Sequence, residues 1–187
     1  MAKQHGEFES VRAAILETAT RLFTEKGIHE TSLADIAKEA RLSKGTLYYY
    51  YPSKEHLVND ISDYNLGRIT DLLFNWIDTL NRDREAKEAV VMLIEMLTAD
   101  ESVTKLHLML CADAMMGNSS LKKKMATKYR EWTVMLEVGS LKMSAPMSER
   151  LRRMSQSLLA LFDGFCLQMN IGVEGINNDA LVELILE

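Results

Sequence analysis

Proline is nearly absent from this chain: Pro52 and Pro146 are the only two in 187 residues. A sequence so poor in the residue that interrupts helices is free to form long ones. Cysteine is equally scarce. Cys111 and Cys166 are the only two, far apart and with no CxxC, which argues against a disulfide framework and a structural zinc site. The longest apolar run, Ala89 to Ile94, is six residues, against the roughly 20 that a membrane span needs. The opening MAKQHGEFES is polar, with no apolar stretch before a cleavage site, so no signal peptide is expected there. The expectation is a cytoplasmic protein that keeps its thiols reduced and does not engage membranes. No Ser/His/Asp order, glycine-rich phosphate loop or carboxylate pair commends an enzyme, and no cofactor is expected. His107 and Cys111, four apart, have metal-ligand spacing, but no third ligand is evident and no metal is expected. Lys122, Lys123 and Lys124 read as a solvated face.

What the chain does have is apolar residues at helical spacing. With 47% hydrophobic and 26% charged residues, it can bury a real core. Apolar positions recur every three or four residues, with no sustained period of two, so the whole chain is expected to be helical. The first helix is expected over about 8–26, with Phe8, Val11, Ile15, Leu22 and Phe23 on one face and Ala14 and Ala19 filling it. Gly27 then ends it. Ser32 and Asp35 form a capping box, with Asp in place of the usual Glu or Gln, opening a second helix whose buried stripe is Leu33, Ile36, Ala37 and Ala40. After a break at Arg41 and Leu42, Ser43 caps a very short third helix that Pro52 ends by restricting Tyr51. Longer helices are expected over about 53–80, 83–98, 101–116, 119–141 and 148–170, with a last one after Asn177 and Asn178. That makes about nine helices. The charge is −5 overall. Residues 1–59 are balanced, with eight basic and eight acidic side chains, while 60–187 hold 14 and 19, leaving the N-terminal part the less acidic.

Two short helices joined by a tight turn, the second ending in aromatics, read as a helix-turn-helix. The second, Ser43-Lys44-Gly45-Thr46-Leu47-Tyr48-Tyr49-Tyr50, spans about two turns. Its only large aliphatic residue is Leu47, which must anchor it. Lys44, Thr46, Tyr48 and Tyr49 are then free to meet a partner, and Gly45 lets another molecule approach the backbone. A short helix offering its N-terminal residues is the shape that enters a DNA major groove. There Lys can reach guanine O6 and N7, and an aromatic ring or Thr methyl can pack on a thymine methyl. Thr31, Ser32, Lys54 and the tyrosine hydroxyls can hold phosphates.

The stretch Thr31-Ser32-Leu33-Ala34-Asp35-Ile36-Ala37, followed by Leu42-Ser43-Lys44-Gly45-Thr46-Leu47 and Tyr48-Tyr49-Tyr50-Tyr51-Pro52-Ser53-Lys54-Glu55, closely resembles the tetracycline-repressor (TetR) family of bacterial transcription regulators. Ala14, Leu22, Phe23 and Gly27 resemble that family's first helix, so the likeness covers about residues 10–58. It implies an all-α protein with an N-terminal three-helix DNA-binding domain, residues 1–52, and a larger helical ligand-binding and dimerisation domain, residues 53–187. It also implies that Lys44, Gly45 and Tyr48 face bases. Thr46 and Tyr49 would serve bases and phosphates, and Tyr50, Lys54, Thr31 and Ser32 phosphates. Two residues depart from the family pattern. Arg41 stands where a turn glycine is usual, so either the turn is altered or Arg41 adds a phosphate contact. Tyr51 replaces a common Phe, which would expose a hydroxyl at the start of the fourth helix.

Eleven of the twelve methionines lie at or after Met92. Met adapts to varied apolar shapes, and with Trp76, Tyr129, Trp132, Phe162 and Phe165 it points to a deformable cavity for a small, largely apolar effector. Candidate lining residues are Tyr64, Arg68, Met92, Met96, His107, Cys111, Trp132, Phe162 and Gln168. The segment Leu158 to Met169 is apolar nearly all round, so it must be covered on more than one side. A second subunit is expected to cover it along Leu158, Leu161, Phe165 and Met169, with Leu181 and Ile185 of the last helix alongside; a central place in the monomer core is the alternative. The resulting expectation is a homodimeric repressor on a near-palindromic double-stranded operator, its two reading helices ~34–36 Å apart and released by the effector. A ligand-independent regulator or activator of the same fold, or a metal sensor using His107 and Cys111, are the competing readings.

Overall fold

Backbone geometry is described for residues 2–173 and side chains from Phe8 to Val173, in a computed structural model. Among the described residues there are eight helices and no strand: α1 (Ala2–Lys26), α2 (Leu33–Glu39), α3 (Lys44–Tyr50), α4 (Lys54–Thr79), α5 (Ala86–Thr98), α6 (Glu101–Met115), α7 (Ser119–Ser140) and α8 (Ala145–Asn170). The expected last helix, with Leu181 and Ile185, lies outside the described residues. Two boundaries differ from expectation at helix starts. α1 begins at Ala2, six residues earlier than the apolar pattern marks. α8 begins at Ala145 and takes Pro146 into its first turn, where a missing N–H costs nothing.

The chain divides into two compact units, Met1–Asn65 and Leu66–Glu187. The division falls within α4 rather than at Pro52. The reason is local: Asp60, two turns into α4, accepts hydrogen bonds from Arg12 of α1 at 2.7 Å and from the Tyr51 hydroxyl at 3.0 Å. The start of α4 is thereby fastened to the first unit. Its core is Ile15, Ala19, Leu22 and Phe23 of α1, Leu33, Ile36 and Ala37 of α2, Leu47 of α3, and Leu57, Val58 and Ile61 of α4. Phe8 and Ala14, expected on the buried face of α1, are exposed.

In the second unit α8 packs against α5, α6 and α7. This accounts for its nearly all-round apolar character within one chain. Leu158, Leu159, Phe162, Phe165 and Cys166 are all buried. Leu158 and Phe165 are buried within the single chain, Leu161 is half-buried and Met169 is exposed. Both tryptophans are enclosed with their indole N–H satisfied, as buried polar groups require. Trp76 donates to the Ala89 carbonyl at 2.7 Å and Trp132 to the Thr70 hydroxyl at 2.9 Å. Gly139 on α7 lies against α4, where an added Cβ would fall 2.6 Å from Cγ1 of Ile77.

Candidate nucleic-acid interface and buried polar cluster

The turn between α2 and α3 is built by capping. The Ser32 hydroxyl accepts the Asp35 N–H, and the Asp35 carboxylate accepts the Ser32 N–H, so the capping box forms as its sequence implies. Ser43 Oγ accepts the Thr46 N–H at 2.9 Å and lies 2.8 Å from the Thr46 hydroxyl. Arg41 occupies the left-handed region with φ 56°. The turn keeps the conformation a glycine would favour, and the arginine side chain is exposed. The departure from the family pattern is met by backbone strain and not by a rebuilt turn.

Leu47 is fully buried and holds α3 down. Lys44 and Gly45 are exposed, as are Tyr48 (49%) and Tyr49 (75%). Large aromatic rings standing this far into water from so short a helix are unusual for plain core residues. Thr46 and Tyr50 are half-buried. The Tyr50 ring packs on Phe8 of α1 with centroids 4.6 Å apart, and Tyr49 meets Tyr50 edge-on at 5.5 Å. Phe8 is a contributor to this surface that the apolar pattern alone assigned to the core. The Lys54 ammonium donates to the His29 carbonyl at 3.1 Å.

Thr31, an expected member of the surface, sits elsewhere, and the Tyr51 hydroxyl is enclosed. Thr31 is fully buried, and its hydroxyl donates to the carbonyls of Leu22 and Gly27. It ties the α1–α2 connection together and offers nothing to a phosphate. The Tyr51 hydroxyl is not exposed at the start of α4 but donates to Asp60, and burial pushes its pKa up to about 12.

The second unit gathers a polar cluster inside an apolar bundle. His107 of α6 is fully buried. Its Nε2 lies 3.1 Å from Asp163 Oδ1 and 2.9 Å from the Tyr129 hydroxyl. That hydroxyl lies 2.7 Å from each Asp163 oxygen. Cys111 Sγ is 3.8 Å from both His107 Nε2 and the Tyr129 hydroxyl. Burial is the largest single influence and works against a charged His107, but the hydrogen bonds and charges of Asp163 and Cys111 together outweigh it and lift the pKa to about 9. Burial also pushes up the Tyr129 hydroxyl, with adjacent Cys111 and Asp163 acting in the same direction. The Cys166 thiol is pushed up to about 12, first by burial and then by Asp163. A groove of about 460 Å³ opens beside the cluster, with an almost wholly apolar lining that includes Cys111, Met115, Met125, Tyr129, Asp163 and Leu167.

Of the expected pocket residues, the structure brings His107, Cys111, Trp132 and Phe162 together; the His107 ring centroid is 5.9 Å from that of Trp132 and 5.7 Å from that of Phe162. The rest stand apart from the cluster. Tyr64 is exposed and belongs to the first unit. Arg68 is bound to Asp100 at 2.7 Å. The Thr79 hydroxyl points to Met92 Sδ at 3.4 Å. Met96 is half-buried and Gln168 exposed. Sequence reasoning counted Tyr129 among the cavity aromatics without naming it as a lining residue, and left Asp163 out. The available signal was Asp163 itself, the only acid in an otherwise apolar α8 segment. Among the described residues no group of three His, Cys, Asp or Glu is placed to hold a metal, and no described helix is long and apolar enough to cross a membrane.

Residues 15–61 match the family model "Bacterial regulatory proteins, tetR family". Over these residues the chain is similar to the TetR family. The matched residues are the α1–α4 surroundings of the exposed α3 face. An HTH-type transcriptional regulator of Bacillus subtilis, YuxN, is 43% identical over 61 residues, 33% of this chain and 21% of that protein. The chain spans between 21% and 43% of the length of the curated relatives it matches at about this level. The likeness of fold extends further. Salmonella enterica GusR superposes with a TM-score of 0.74 at 22% identity, covering 95% of this chain and 93% of that one. The multidrug binding protein EbrR, complexed with imidazole, gives 0.70 at 19% identity, covering 94% and 92%.

Proposed function

We propose that this chain is a homodimeric, ligand-responsive repressor that binds a palindromic operator. The observation that carries the reading is the face of α3: Lys44, Gly45, Tyr48 and Tyr49 stand exposed on a helix anchored by the single buried Leu47. The capped turn and the match over residues 15–61 support the same reading. Lys44 and Tyr48 reach base edges, and Ser32, Arg41, Tyr49 and Tyr50 serve the phosphate backbone. The net charge of −5 is no obstacle, because binding depends on the field of this one face.

The second unit supplies the dimer and the effector site. Val134 and Val138 of α7, with Leu141 at its C-cap, form an exposed apolar stripe at helical spacing. With Leu158 and Phe165 inside the monomer, this stripe is the seam we assign to the second copy. The groove beside His107 and Asp163 receives the effector, a reading supported by EbrR, a multidrug binding protein of similar fold. α4 runs unbroken from the first unit into the second, so it is the covalent route by which an effector changes DNA affinity. A coupling of about 1–3 kcal/mol suffices for a 5- to 150-fold change. Repression relieved by ligand, in place of activation, rests on the family resemblance.

The direct test is a shift assay on DNA flanking the gene. Lys44→Ala and Tyr48→Ala are each expected to weaken specific binding by about 1–3 kcal/mol. If both variants bind as tightly as the parent, α3 is not the reading helix. Light scattering tests the seam: Val138→Glu yields monomers, and an intact dimer places the seam elsewhere.

A further inference from the structure

We infer that the groove beside Asp163 binds a lipophilic amine in its cationic form, with the ammonium donating to the Asp163 carboxylate. This rests on the ligand-responsive reading above and names its ligand class. Asp163 is the one acid within the apolar stretch Leu158 to Met169 of α8, and its side chain stays 34% exposed where it borders the groove. A carboxylate can accept about four hydrogen bonds. Here one Tyr129 hydroxyl, with its single proton, and one His107 nitrogen are the donors described at it. Acceptor capacity is therefore left over on a carboxylate that borders this groove and a second one lined by Arg130 and Gln156. The walls offer Leu108, Met115, Met125 and Leu167, surfaces that adapt to varied alkyl and aryl groups. A molecule filling this space meets the Tyr129 hydroxyl, the solvent-exposed Lys122 and one anionic acceptor, Asp163. Burying that anion under an apolar ligand costs free energy unless the ligand brings a donor, and a charged donor compensates best.

The cluster also has a way to stay neutral. Empty, Asp163 is balanced from behind by His107, whose Nδ1 has no partner among the described residues although it is buried. A protonated ring leaves an Nδ1–H unsatisfied, so the imidazolium holds its second proton at a cost. When an ammonium takes over the carboxylate, that proton is released to solvent and His107 remains as neutral imidazole. The other titratable groups around the pair are Cys111 on α6, Tyr129 on α7 and Cys166 on α8. Lys122 and Arg130 are solvent-exposed, so water and salt screen their opposing charge. Proton release predicts that amine affinity rises as pH climbs from 7 towards the His107 pKa of about 9.

The experiment is calorimetry on the full chain without DNA, using dihexylammonium, its neutral isostere N-hexylhexanamide, and decanoate. The expected result is dihexylammonium binding at least tenfold tighter than either, with affinity rising between pH 7 and 9. Titrations in two buffers of different ionisation enthalpy should show proton release on binding. Asp163→Asn should bring the amine down to the level of the amide. Should that variant fold poorly, the wild-type ligand series and the proton count decide alone. Equal affinity for amine and amide, tightest binding of decanoate, or no proton release overturns the inference. Because no DNA is present, such a failure leaves the operator result untouched, and a failed operator assay leaves the amine result untouched.

Discussion

Gly45→Ala separates the folding role of α3 from its proposed reading role. A Cβ at position 45 would meet only Ser43 Oγ, at 3.7 Å, an ordinary contact. The residue is helical and exposed, so the free protein has room for the methyl group. Alanine is better than glycine in a helix interior by about 1 kcal/mol, and somewhat less is expected this close to the N-terminus. Melting temperature should hold or rise slightly. Operator binding should move the other way. If DNA lies against the α3 backbone, the methyl enters a packed contact, and overpacking costs roughly 1–3 kcal/mol. That corresponds to about 5- to 150-fold in affinity per helix, and both helices of a dimer pay it. A shift assay paired with thermal denaturation reads both effects on one sample. A variant at least as stable as the parent that binds operator with unchanged affinity would refute the close backbone approach.

Gly139→Ala and Gly164→Ala form a contrasting pair: the first drives a Cβ to 2.6 Å from Ile77 and should lower stability by about 1–3 kcal/mol, while the second meets nothing within 4 Å and should be neutral or mildly stabilising in denaturant titrations. Thr31→Val removes a buried hydroxyl bonded to two carbonyls and should cost about 1–2 kcal/mol in chemical denaturation. The slope of operator affinity against salt should not change, since Thr31 touches no phosphate; a shallower slope would return it to the interface. Two pH windows follow from shifted groups. Asp100 caps α6 and binds Arg68, and its pKa, held at about 2 first by Ser102 and then by Arg68, lies below its unfolded 3.8; its contribution is complete above 3.8 and fades as pH falls through about 2. His107 moves oppositely: its stabilisation is complete below 6.5 and is lost as pH rises through about 9, so melting temperature should fall across that interval in wild type and stay flatter in His107→Gln.

The first unit is legible in sequence because its signals are local. A Ser three residues before an Asp, a Ser three before a Thr and one Leu among polar and aromatic neighbours each fix a cap or an anchor without reference to distant chain. Thr31 shows where that local reading fails. Its fate is set by the carbonyls of Leu22 in α1 and of Gly27 just past its end, nine and four residues upstream, which no capping pattern reveals. Phe8 likewise follows the apolar spacing of α1, yet packs on Tyr50 at the surface. The second unit was harder to read because its polar cluster joins three helices. His107 and Tyr129 are 22 positions apart, and His107 and Asp163 are 56 apart. The i,i+4 pair of His107 and Cys111 was visible, but its partners were not. The apolar character of α8 is real, and its cause is burial against three neighbours of its own chain, which the sequence alone could not tell from burial against a second copy.

Arg41 holds a left-handed backbone at φ 56°, a conformation costing most L-residues roughly 1–2 kcal/mol. Laboratory selection for heat tolerance would find glycine there early, since the strain vanishes with the side chain. Each such winner would leave one cation fewer beside the turn, and a lineage bred for durability would drift towards weaker, less salt-sensitive attachment to its target.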